Sequence, residues 1–265
     1  METRNNIIPS LYVKTKGEST AQVSLKLTTA PTKWIVRVTG GCGYMSPQDG
    51  EHLIETFSSA FSGYKGSLIF GGTQMRDRDT NEVVCGITEV VPAIQANNPE
   101  VVSLGIIAKC SDINITNRGL IISDNNDDKY ITFCHPQQNI ALIVQKNPDT
   151  PSKATETIWD MEYQEAMEII SDLRQFAEMR SLLVSYNGGK TTEKEILATA
   201  QKGWPILLVK GSGRITDQYA TDISFLSRHP HVHTCENNSY AIRNVLIKIG
   251  LINNSSNIIK LKKTS

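Results

Sequence analysis

The sequence carries no excess of charge of either sign. Its 265 residues include 27 Lys and Arg against 27 Asp and Glu, so the formal net charge is zero. Proteins that neutralise many phosphates along DNA or RNA need a basic excess. The composition therefore argues against a nucleic-acid partner, although it is compatible with a local basic pocket for one small anion.

Paired cysteines and long hydrophobic runs are missing as well. The five cysteines contain no CxxC pair, their number is odd, and a chain of this length does not need disulfides to support its core. No apolar run approaches the roughly 20 residues of a membrane-spanning helix. The first residues also lack the basic-then-apolar layout of a signal peptide. These features predict a cytoplasmic protein with reduced thiols and no direct membrane span.

What the sequence does contain is an alternation of short apolar segments with amphipathic ones. The apolar segments predict strands at 21–28, 34–39, 67–70, 101–108, 140–145, 181–185 and 205–209. Helical spacing predicts helices from Ser46-Pro47 onward and at 82–96 (interrupted near Pro92), 160–179, 192–202, 215–227 and 240–249. Residues 109–140 favour a β-hairpin. This order predicts an α/β fold in three layers, with a largely parallel sheet, an extra N-terminal strand and a central β-hairpin insertion.

Glycine-rich turns follow four of the predicted strands, and the pattern places a helix after each turn. Because the carboxyl ends of parallel strands meet at one edge of a sheet, we expect the four turns to converge there. Glycine lets the backbone approach a ligand closely, and the helix that follows offers free N–H groups to an anion. Lysine, arginine and hydroxyl side chains in the turns add charge and donors. The candidate ligand-binding residues are Gly40, Gly41, Cys42, Gly43, Gly71, Gly72, Thr73, Gly188, Gly189, Lys190, Thr191, Thr192, Gly211, Ser212, Gly213 and Arg214.

The turns match neither of two common nucleotide-binding motifs. The stretch Gly188–Thr191 ends like a Walker A loop, but Val184 stands where that loop has its first glycine. No turn contains the GxGxxG of NAD-dependent dehydrogenases. Any one of the turns alone is explained equally well as a tight strand-to-helix connection. The four together predict a cradle for a phosphate or pyrophosphate.

Two longer stretches resemble a known family. They are LLVSYNGGKTTEKEI at 182–196 and WPILLVKGSGRITDQYA at 204–220. Both resemble the last part of the ligand domain at the N-terminus of melastatin-type transient receptor potential (TRPM) channels. VRVTGGCG, LIFGGTQM and VVSLGIIAK resemble the earlier strands and turns of that domain, in the same order. The resemblance spans 34–222 and is loose over 109–165.

This resemblance implies a Rossmann-like fold and a sensor function. The TRPM-like (LSDAT) branch belongs to the SLOG superfamily, together with DprA proteins and Lonely-Guy phosphoribohydrolases. Its prokaryotic members are associated with nucleotide-derived ligands in conflict or antiviral defence systems, and the channel domains with ADP-ribose-like molecules. The implied ligand is a nucleotide derivative such as ADP-ribose, cyclic ADP-ribose or an NAD-related molecule. No cofactor is required, and the signal passes through a homo-oligomer or a separate effector protein.

The same resemblance suggests how the chain is divided. We expect a SLOG-like domain at 34–250. An N-terminal extension at 1–33 packs on its core, and a polar and basic tail follows at 251–265. No membrane helix follows the domain in this sequence, so we expect a sensor without a pore.

Lonely-Guy enzymes suggest an alternative function of another class. Their motif PGGxGTxxE uses its acid to cleave the N-glycosidic bond of a nucleoside monophosphate. In this chain NGGKTTEKE matches the glycine pair, Thr192 and Glu195, whereas Asn187 replaces the proline and Thr191 the third glycine. Arg174 is the nearest candidate for the arginine that these enzymes place in the preceding helix. Glu195 is then the catalytic residue of an N-glycosidase, and the competing interpretation is an acid stabilised by the helix dipole.

Two clusters suggest metal ligands, and we favour structural interpretations of both. His229, His231 and His233 alternate as on one face of a strand, but Pro230 disrupts that strand and no fourth zinc ligand is suitably spaced. The acidic stretch at 124–128 lacks the glycine and glutamate of a calcium loop and predicts a hairpin tip. We therefore predict no metal site.

Single reactive side chains also give little support for other chemistry. Cys42 has no histidine at a recognisable spacing, so we interpret it as a small residue in a tight turn. Ser185 and Ser212 lack the GxSxG elbow of serine hydrolases. Asp217 follows the last glycine turn, where it either contacts a ribose or braces the loop.

Overall fold

A computed structural model describes residues 9–41, 45–109, 114–116, 119–123, 129–145 and 158–253 of the chain. Within these ranges the chain forms alternating strands and helices. The strands are β1 (Ser10–Thr15), β2 (Trp34–Gly40), β3 (Ser67–Gly71), β4 (Thr73–Asp77), β5 (Val102–Lys109), β6 (Asn114–Thr116), β7 (Gly119–Ser123), β8 (Tyr130–Cys134), β9 (Ile140–Gln145), β10 (Arg180–Tyr186), β11 (Ile206–Lys210) and β12 (Val232–Glu236). The helices are α1 (Ala21–Leu27), α2 (Pro47–Ala60), α3 (Ile87–Asn97), α4 (Ile158–Phe176), α5 (Lys190–Gln201), α6 (Arg214–Thr221), α7 (Ile223–Arg228) and α8 (Ser239–Lys248).

Eight of the strands form one sheet in which all neighbours are parallel. Their order is β1-β9-β5-β3-β2-β10-β11-β12. The strands at its centre are buried along almost their whole length, because helices cover both faces of the sheet. This accounts for the near-continuous apolar runs from which the strands were predicted.

Successive side chains along each strand point to opposite faces of the sheet and pack into two separate hydrophobic cores. Val36 and Val38 of β2 pack with α2, α3 and α8, whereas Ile35 packs with α1 and α4 on the opposite face. Helices α5, α6 and α7 continue this second face over β10 and β11. The predicted three-layer, Rossmann-like α/β fold with a parallel sheet is confirmed.

The prediction of a strand at 21–28 was wrong, because this segment is helix α1. Its alternation of apolar residues is ambiguous, since Val23 and Leu27 are four positions apart and share one face of a helix as well. Both are buried, whereas Leu25 between them is 70% exposed. The structure does have an N-terminal strand, β1, but at residues for which no strand was predicted, and it pairs with β9 at the edge of the sheet.

At Gly71-Gly72-Thr73 the predicted order of strand, glycine turn and helix is interrupted by a further strand. Residues 73–77 form β4, which pairs antiparallel with β8. This strand belongs to a second sheet with the order β4-β8-β7-β6, into which the central hairpin insertion folds. The helix predicted at 82–96 begins only at Ile87, and Pro92 lies inside it without ending it. The predicted insertion is thus confirmed, but β3 leads into it and not into a helix.

The second half of the chain follows the prediction closely, with two refinements. The predicted helix at 215–227 is divided at Asp222, whose side chain accepts a hydrogen bond from Phe225 N–H and so begins α7. The strand β12 begins within the histidine-rich segment, at Val232, and was not predicted. Leu251 and Ile252 are buried in the core, and 254–265 lie outside the described residues. In the part of the chain that the structure describes, no helix is long and apolar enough to cross a membrane.

Candidate functional site

The order of the strands places a crevice between β2 and β10. From β2 the chain adds β3, β5 and β9 on one side, and later adds β10, β11 and β12 on the other. In doubly wound α/β folds, the loops diverge at such a switch point and leave a ligand-binding crevice at the carboxyl ends of the strands. Here these loops are the turns after Gly40 and after Tyr186.

A cavity of about 380 Å³ lies at this position. That volume is in the range of pockets for small molecules, which run from about 300 to 1,000 Å³. Its walls come from the ends of β2 and β3, from β4, and from the N-terminal turns of α3 and α5. The lining residues are Arg37, Val38, Thr39, Gly40, Gly41, Gly71, Thr73, Met75, Ile87, Thr88, Glu162, Gly189, Lys190, Thr191, Thr192 and Glu195.

The inner end of the cavity contains a buried cluster of three charged side chains. Arg37 Nε donates to Glu195 Oε1 at 2.6 Å, and Arg37 Nη2 donates to Glu162 Oε1 at 2.8 Å. The three side chains are 4%, 1% and 13% exposed for Arg37, Glu195 and Glu162. One guanidinium therefore holds two carboxylates from α4 and α5, and this inner end carries a formal charge of −1 when both acids are ionised.

The charges of this cluster shift the pKa values of Arg37 and Glu162, and two of its buried polar atoms have no hydrogen-bonding partner among the described residues. Burial acts to lower the pKa of Arg37, but the carboxylates of Glu195 and Glu162 outweigh it and hold that pKa well above its usual value. Burial raises the pKa of Glu162, although Arg37 opposes the shift. Glu195 Oε2 and Arg37 Nη1 are buried and have no hydrogen-bonding partner among the described residues. A ligand group that both donates and accepts hydrogen bonds is chemically suited to this position.

The rim of the cavity is basic and rich in backbone N–H groups. Helix α5 begins at Lys190, and its N-cap Gly189 has no side chain to accept the free N–H groups of the first turn. Helices α3 and α6 likewise begin after glycine N-caps, whereas serine, aspartate and asparagine side chains cap α2, α7 and α8. The helix N-termini of α3 and α5 at the cavity thus leave their positive ends open to an anion.

Arg214 reaches the rim from the turn after β11. A Cβ atom on Gly189 would lie 2.9 Å from Arg214 Nη2, and one on Gly41 would lie 3.4 Å from Nη1. The guanidinium therefore lies beside the glycines of two different turns. Arg214 has a φ of 51°, in the left-handed region that non-glycine residues rarely adopt. Such strain occurs where the surrounding structure imposes it, and often at functional sites.

Asn187 connects the turns to one another. Its side-chain Nδ2 donates to the carbonyl of Gly41, and its backbone N–H donates to Ser212 Oγ. The hydroxyl and the N–H of Thr216 both donate to the carbonyl of Asn187. This residue replaces the proline of the Lonely-Guy motif, and its hydrogen bonds tie the turns after β2, β10 and β11 into one rim.

The structure brings nine of the predicted site residues to one cavity. Those that line it are Gly40, Gly41, Gly71, Thr73, Gly189, Lys190, Thr191, Thr192 and Glu195. Gly188 packs against Thr192, and Gly211, Ser212 and Gly213 form the turn that carries Arg214. Cys42 and Gly43 lie outside the described residues.

Two predicted residues have clear packing functions. Gly72 lies against Gly105, where a Cβ would approach the neighbouring backbone to 2.6 Å, and its carbonyl accepts from His135 N–H. Asp217 accepts a hydrogen bond from Gly211 N–H at 2.7 Å, so it braces the loop.

Arg37 and Glu162 were missed by the sequence analysis. Arg174, the arginine suggested there, instead donates to Ser181 Oγ and lies over the ring of Trp204. The sequence did contain an indication of Arg37, because an arginine within the buried strand WIVRVT requires a buried acid as its partner. Glu162 gave no comparable indication, since acids are common on amphipathic helices.

No group of three or more histidine, cysteine or acidic side chains is arranged to hold a metal ion in the described part of the chain. The rings of His229 and His231 pack edge to face, and His233 lies in β12. The acidic stretch at 124–128 lies outside the described residues.

Comparison with known proteins gives one family match and several distant structural similarities. The family model LSDAT_prok, described as SLOG in TRPM, prokaryote, matches residues 154–258. The solved structure of TM1055, a structural-genomics target, is 15% identical and covers 82% of this chain and 99% of its own, with a TM-score of 0.46.

Two further solved structures have similar scores. The molybdenum cofactor carrier protein of Chlamydomonas reinhardtii is 12% identical, with 82% of this chain and 98% of that chain covered and a TM-score of 0.46. The molybdenum cofactor binding protein of the phototrophic bacterium Rippkaea orientalis is 14% identical, with 83% and 99% covered and a TM-score of 0.45. A search of curated proteins finds no match.

The matched segment starts before α4 and ends after α8, so it contains Glu162, Glu195, Lys190 and Arg214. Over residues 154–258, the resemblance to the TRPM-like SLOG family predicted from the glycine turns is therefore confirmed, and it is to the prokaryotic type of that family.

Proposed function

We propose that this chain is a binding module for a nucleotide-derived ligand of the ADP-ribose, cyclic ADP-ribose or NAD type. The observation that carries the proposal is the cavity at the switch point, which combines a basic rim of glycine backbone with a buried polar inner end. Lys190, Arg214 and the uncapped first turn of α5 supply the donors that phosphate oxygens require. Val38, Met75 and Ile87 supply an apolar wall against which a base can pack.

A thermal-shift panel tests the proposal. Purified protein is mixed with ADP-ribose, cyclic ADP-ribose, NAD and nucleoside monophosphates, because binding to the native state must raise the melting temperature. We expect at least one of them to do so in the micromolar-to-millimolar range. If none does at millimolar concentration, the proposal is wrong.

Three variants locate the ligand within the protein. Lys190→Ala and Arg214→Ala should each reduce the shift, since each removes a cation at the rim. Lys202→Ala is the matched control, because Lys202 lies at the opposite end of α5 and does not line the cavity. A reduction that is equal in all three variants would indicate that the ligand responds only to overall charge.

A second candidate function is hydrolysis of an N-glycosidic bond. The observation that favours it is Glu195 Oε2, a buried carboxylate oxygen without a partner among the described residues, on a side chain that lines the cavity. In that reaction Glu195 would take a proton from water, and the water oxygen would bond to C1′ of the ribose as the C–N bond breaks. The departing base would then take the proton from Glu195, which returns to its starting state.

Product analysis separates the two functions. The protein is incubated with NAD, ADP-ribose and nucleoside monophosphates, and the products are separated by chromatography. Binding without free base supports the sensor. Free base released at a rate that Glu195→Gln abolishes would establish the hydrolase instead.

The association state is part of the sensor proposal. We propose that occupancy of the cavity is passed on through self-association or a separate effector, in a prokaryotic signalling or defence system. Light scattering with and without the ligand that gives the largest thermal shift tests the self-association arm. A ligand-dependent change in mass supports it, and an unchanged mass in both states excludes it.

A further inference from the structure

The edge strand β1 exposes two apolar side chains to solvent. It lies at one end of the eight-stranded order and pairs with β9 on one side only. Leu11 is 44% exposed and Val13 is 49% exposed. Edge strands are usually protected by charged side chains, by proline or by a covering segment, because their free backbone groups can pair with another strand. An edge with two exposed apolar side chains is therefore a candidate for such pairing.

These two side chains extend a buried apolar layer beyond its covered part. In the register of the sheet, Leu11 lies beside Ala141 and Val13 beside Ile143. Because registered neighbours in a parallel sheet point to the same face, all four side chains share one face. Ala141 and Ile143 are fully buried in a cluster against which β7 packs. The layer is therefore covered at β9 and left open at β1.

Backbone hydrogen bonding limits the free edge to the same two residues. The N–H of Ser10 donates to the residue that leads into β9, so alternate residues of β1 face β9 and those between them face outward. Thr15 faces outward, but Glu18 already pairs with it. The carboxylate of Glu18 accepts from Thr15 N–H at 2.8 Å, and Glu18 N–H donates to the Thr15 carbonyl at 3.0 Å. The outward backbone groups left for another strand are those of Leu11 and Val13.

The sequence of β1 is suited to pairing with a second copy of itself. Two identical edge strands related by a two-fold axis perpendicular to the sheet run antiparallel. When Tyr12 lies on that axis, Leu11 of each chain faces Val13 of the other. Both residues point their backbone groups outward, so each pair can exchange two hydrogen bonds and also places two apolar side chains opposite each other. This one register satisfies the free backbone groups and covers the exposed side chains.

We propose that the outer edge of β1 is a homodimer interface, at which two chains pair antiparallel about Tyr12 and join their sheets into one. The inference goes beyond the proposed function, because this dimer forms without a ligand. The contact is short, since each chain contributes one strand edge. We therefore expect a weak dimer that dissociates on dilution.

Sedimentation velocity from micromolar to millimolar protein tests the interface. The wild-type protein should change from monomer to dimer as its concentration rises. Val13→Lys should remain a monomer over the same range, because its charged group would face Leu11 of the other chain. Ile223→Lys is the matched control, since it replaces another β-branched side chain, 82% exposed on α7, and should dimerise like the wild-type protein.

Cysteine cross-linking tests the register. An equal mixture of Leu11→Cys and Val13→Cys should form a disulfide-linked dimer under mild oxidation, because these two positions face each other. Either variant alone should not, since identical positions are diagonal neighbours about 7–8 Å apart, beyond the usual reach of a disulfide. The wild-type protein treated in the same way shows any cross-links through its native cysteines.

Each outcome decides for or against the interface. A wild-type protein that is monomeric over the whole range would overturn the inference and leave the edge to another segment of this chain or to a different protein. Dimerisation of Val13→Lys as strong as that of the wild-type protein would overturn it too, as would equal cross-linking of the single variants and their mixture. Melting temperatures show that each variant is folded, and the wild-type mass tests the inference even if a variant is not. None of these measurements uses a ligand, so failure of the nucleotide panel would leave this inference standing.

Discussion

The inner end of the cavity and its rim differ in how far their charged side chains are exposed to solvent. At the inner end, Arg37, Glu162 and Glu195 are withdrawn from water and held by hydrogen bonds of 2.6–2.8 Å. At the rim, Lys190 and Arg214 are exposed, and glycine N-caps leave helix N-termini open. Buried charges interact strongly and are costly to unpair, whereas exposed charges are screened by solvent and salt.

This difference predicts which residues matter most for folding and which matter most for binding a ligand. Removing a charge at the inner end should affect both folding and binding, because its partners remain buried. Removing a charge at the exposed rim should affect binding more than folding. The following predictions test that division, from the largest expected effect to the smallest.

Replacing Arg37 should have the largest effect on stability. Arg37→Met leaves Glu162 and Glu195 buried side by side without a cation, and breaking a buried ion pair in this way costs about 3–5 kcal/mol. Urea unfolding measures the change. Lys33→Ala is the control, since it breaks the exposed pair with Glu178 and should cost at most about 1 kcal/mol. A loss for Arg37→Met as small as that of the control would contradict the assignment.

Replacing Arg214 should weaken ligand binding more than it destabilises the fold. Arg214→Ala should weaken a phosphate-bearing ligand by about 1.5–3 kcal/mol, the range for hydrogen bonds to charged groups. Titration calorimetry measures the affinity, and unfolding of the free variant measures its stability. An unchanged affinity would remove Arg214 from the site.

Alanine substitutions at two neighbouring glycines should distinguish a glycine that is needed for packing from one that leaves room for a ligand. A Cβ on Gly40 would lie 2.1 Å from the carbonyl oxygen of Tyr186, so Gly40→Ala forces β2 and β10 apart and should cost about 1–3 kcal/mol. At Gly41 the nearest atom would be 3.4 Å away, at the flexible end of Arg214, so Gly41→Ala should leave stability nearly unchanged. Thermal unfolding of the two variants compares them directly. Equal destabilisation would show that both glycines are packing residues.

Salt should have the smallest effect, and only at the rim. Raising the ionic strength from about 0.1 M to about 1 M shortens the screening length from roughly 10 Å to roughly 3 Å. The affinity for the ligand that gives the largest thermal shift should fall, because Lys190 and Arg214 are exposed, whereas the stability lost in Arg37→Met should change little, because Arg37 is buried. Titrations and urea unfolding at both salt concentrations measure the two quantities. If the affinity were unchanged, the ligand would not be bound by exposed charges at the rim.

The parallel sheet was predictable because its strands are covered on both faces. Near-continuous apolar segments such as VVSLGIIA and SLLVS are typical of strands in such a sheet, and the glycine turns after four of the strands indicated the edge where the candidate site lies. The segment 21–28 was not predictable by alternation, since Val23 and Leu27 suit a helix equally well. The strand β4 was not predictable either, because its partner β8 lies over 50 residues away in the sequence and decides its structure.

The site was predictable where backbone chemistry defines it, and much less so where side chains from distant elements meet. The glycine turns could be found because glycine followed by a helix start is a local pattern. The inner cluster joins β2, α4 and α5, whose residues 37, 162 and 195 are far apart in the chain. Only the arginine within a buried strand indicated it, and its acidic partners required the structure.

A titration of the wild-type protein and of Gly41→Leu with the ligand that gives the largest thermal shift tests the central claim most directly. A leucine at this position projects toward Arg214 at the rim, into the space where we propose that the phosphates bind. The wild-type protein should bind one ligand per chain, and Gly41→Leu should keep its melting temperature but lose binding. Binding of equal affinity by the two proteins would show that the ligand lies outside this cavity.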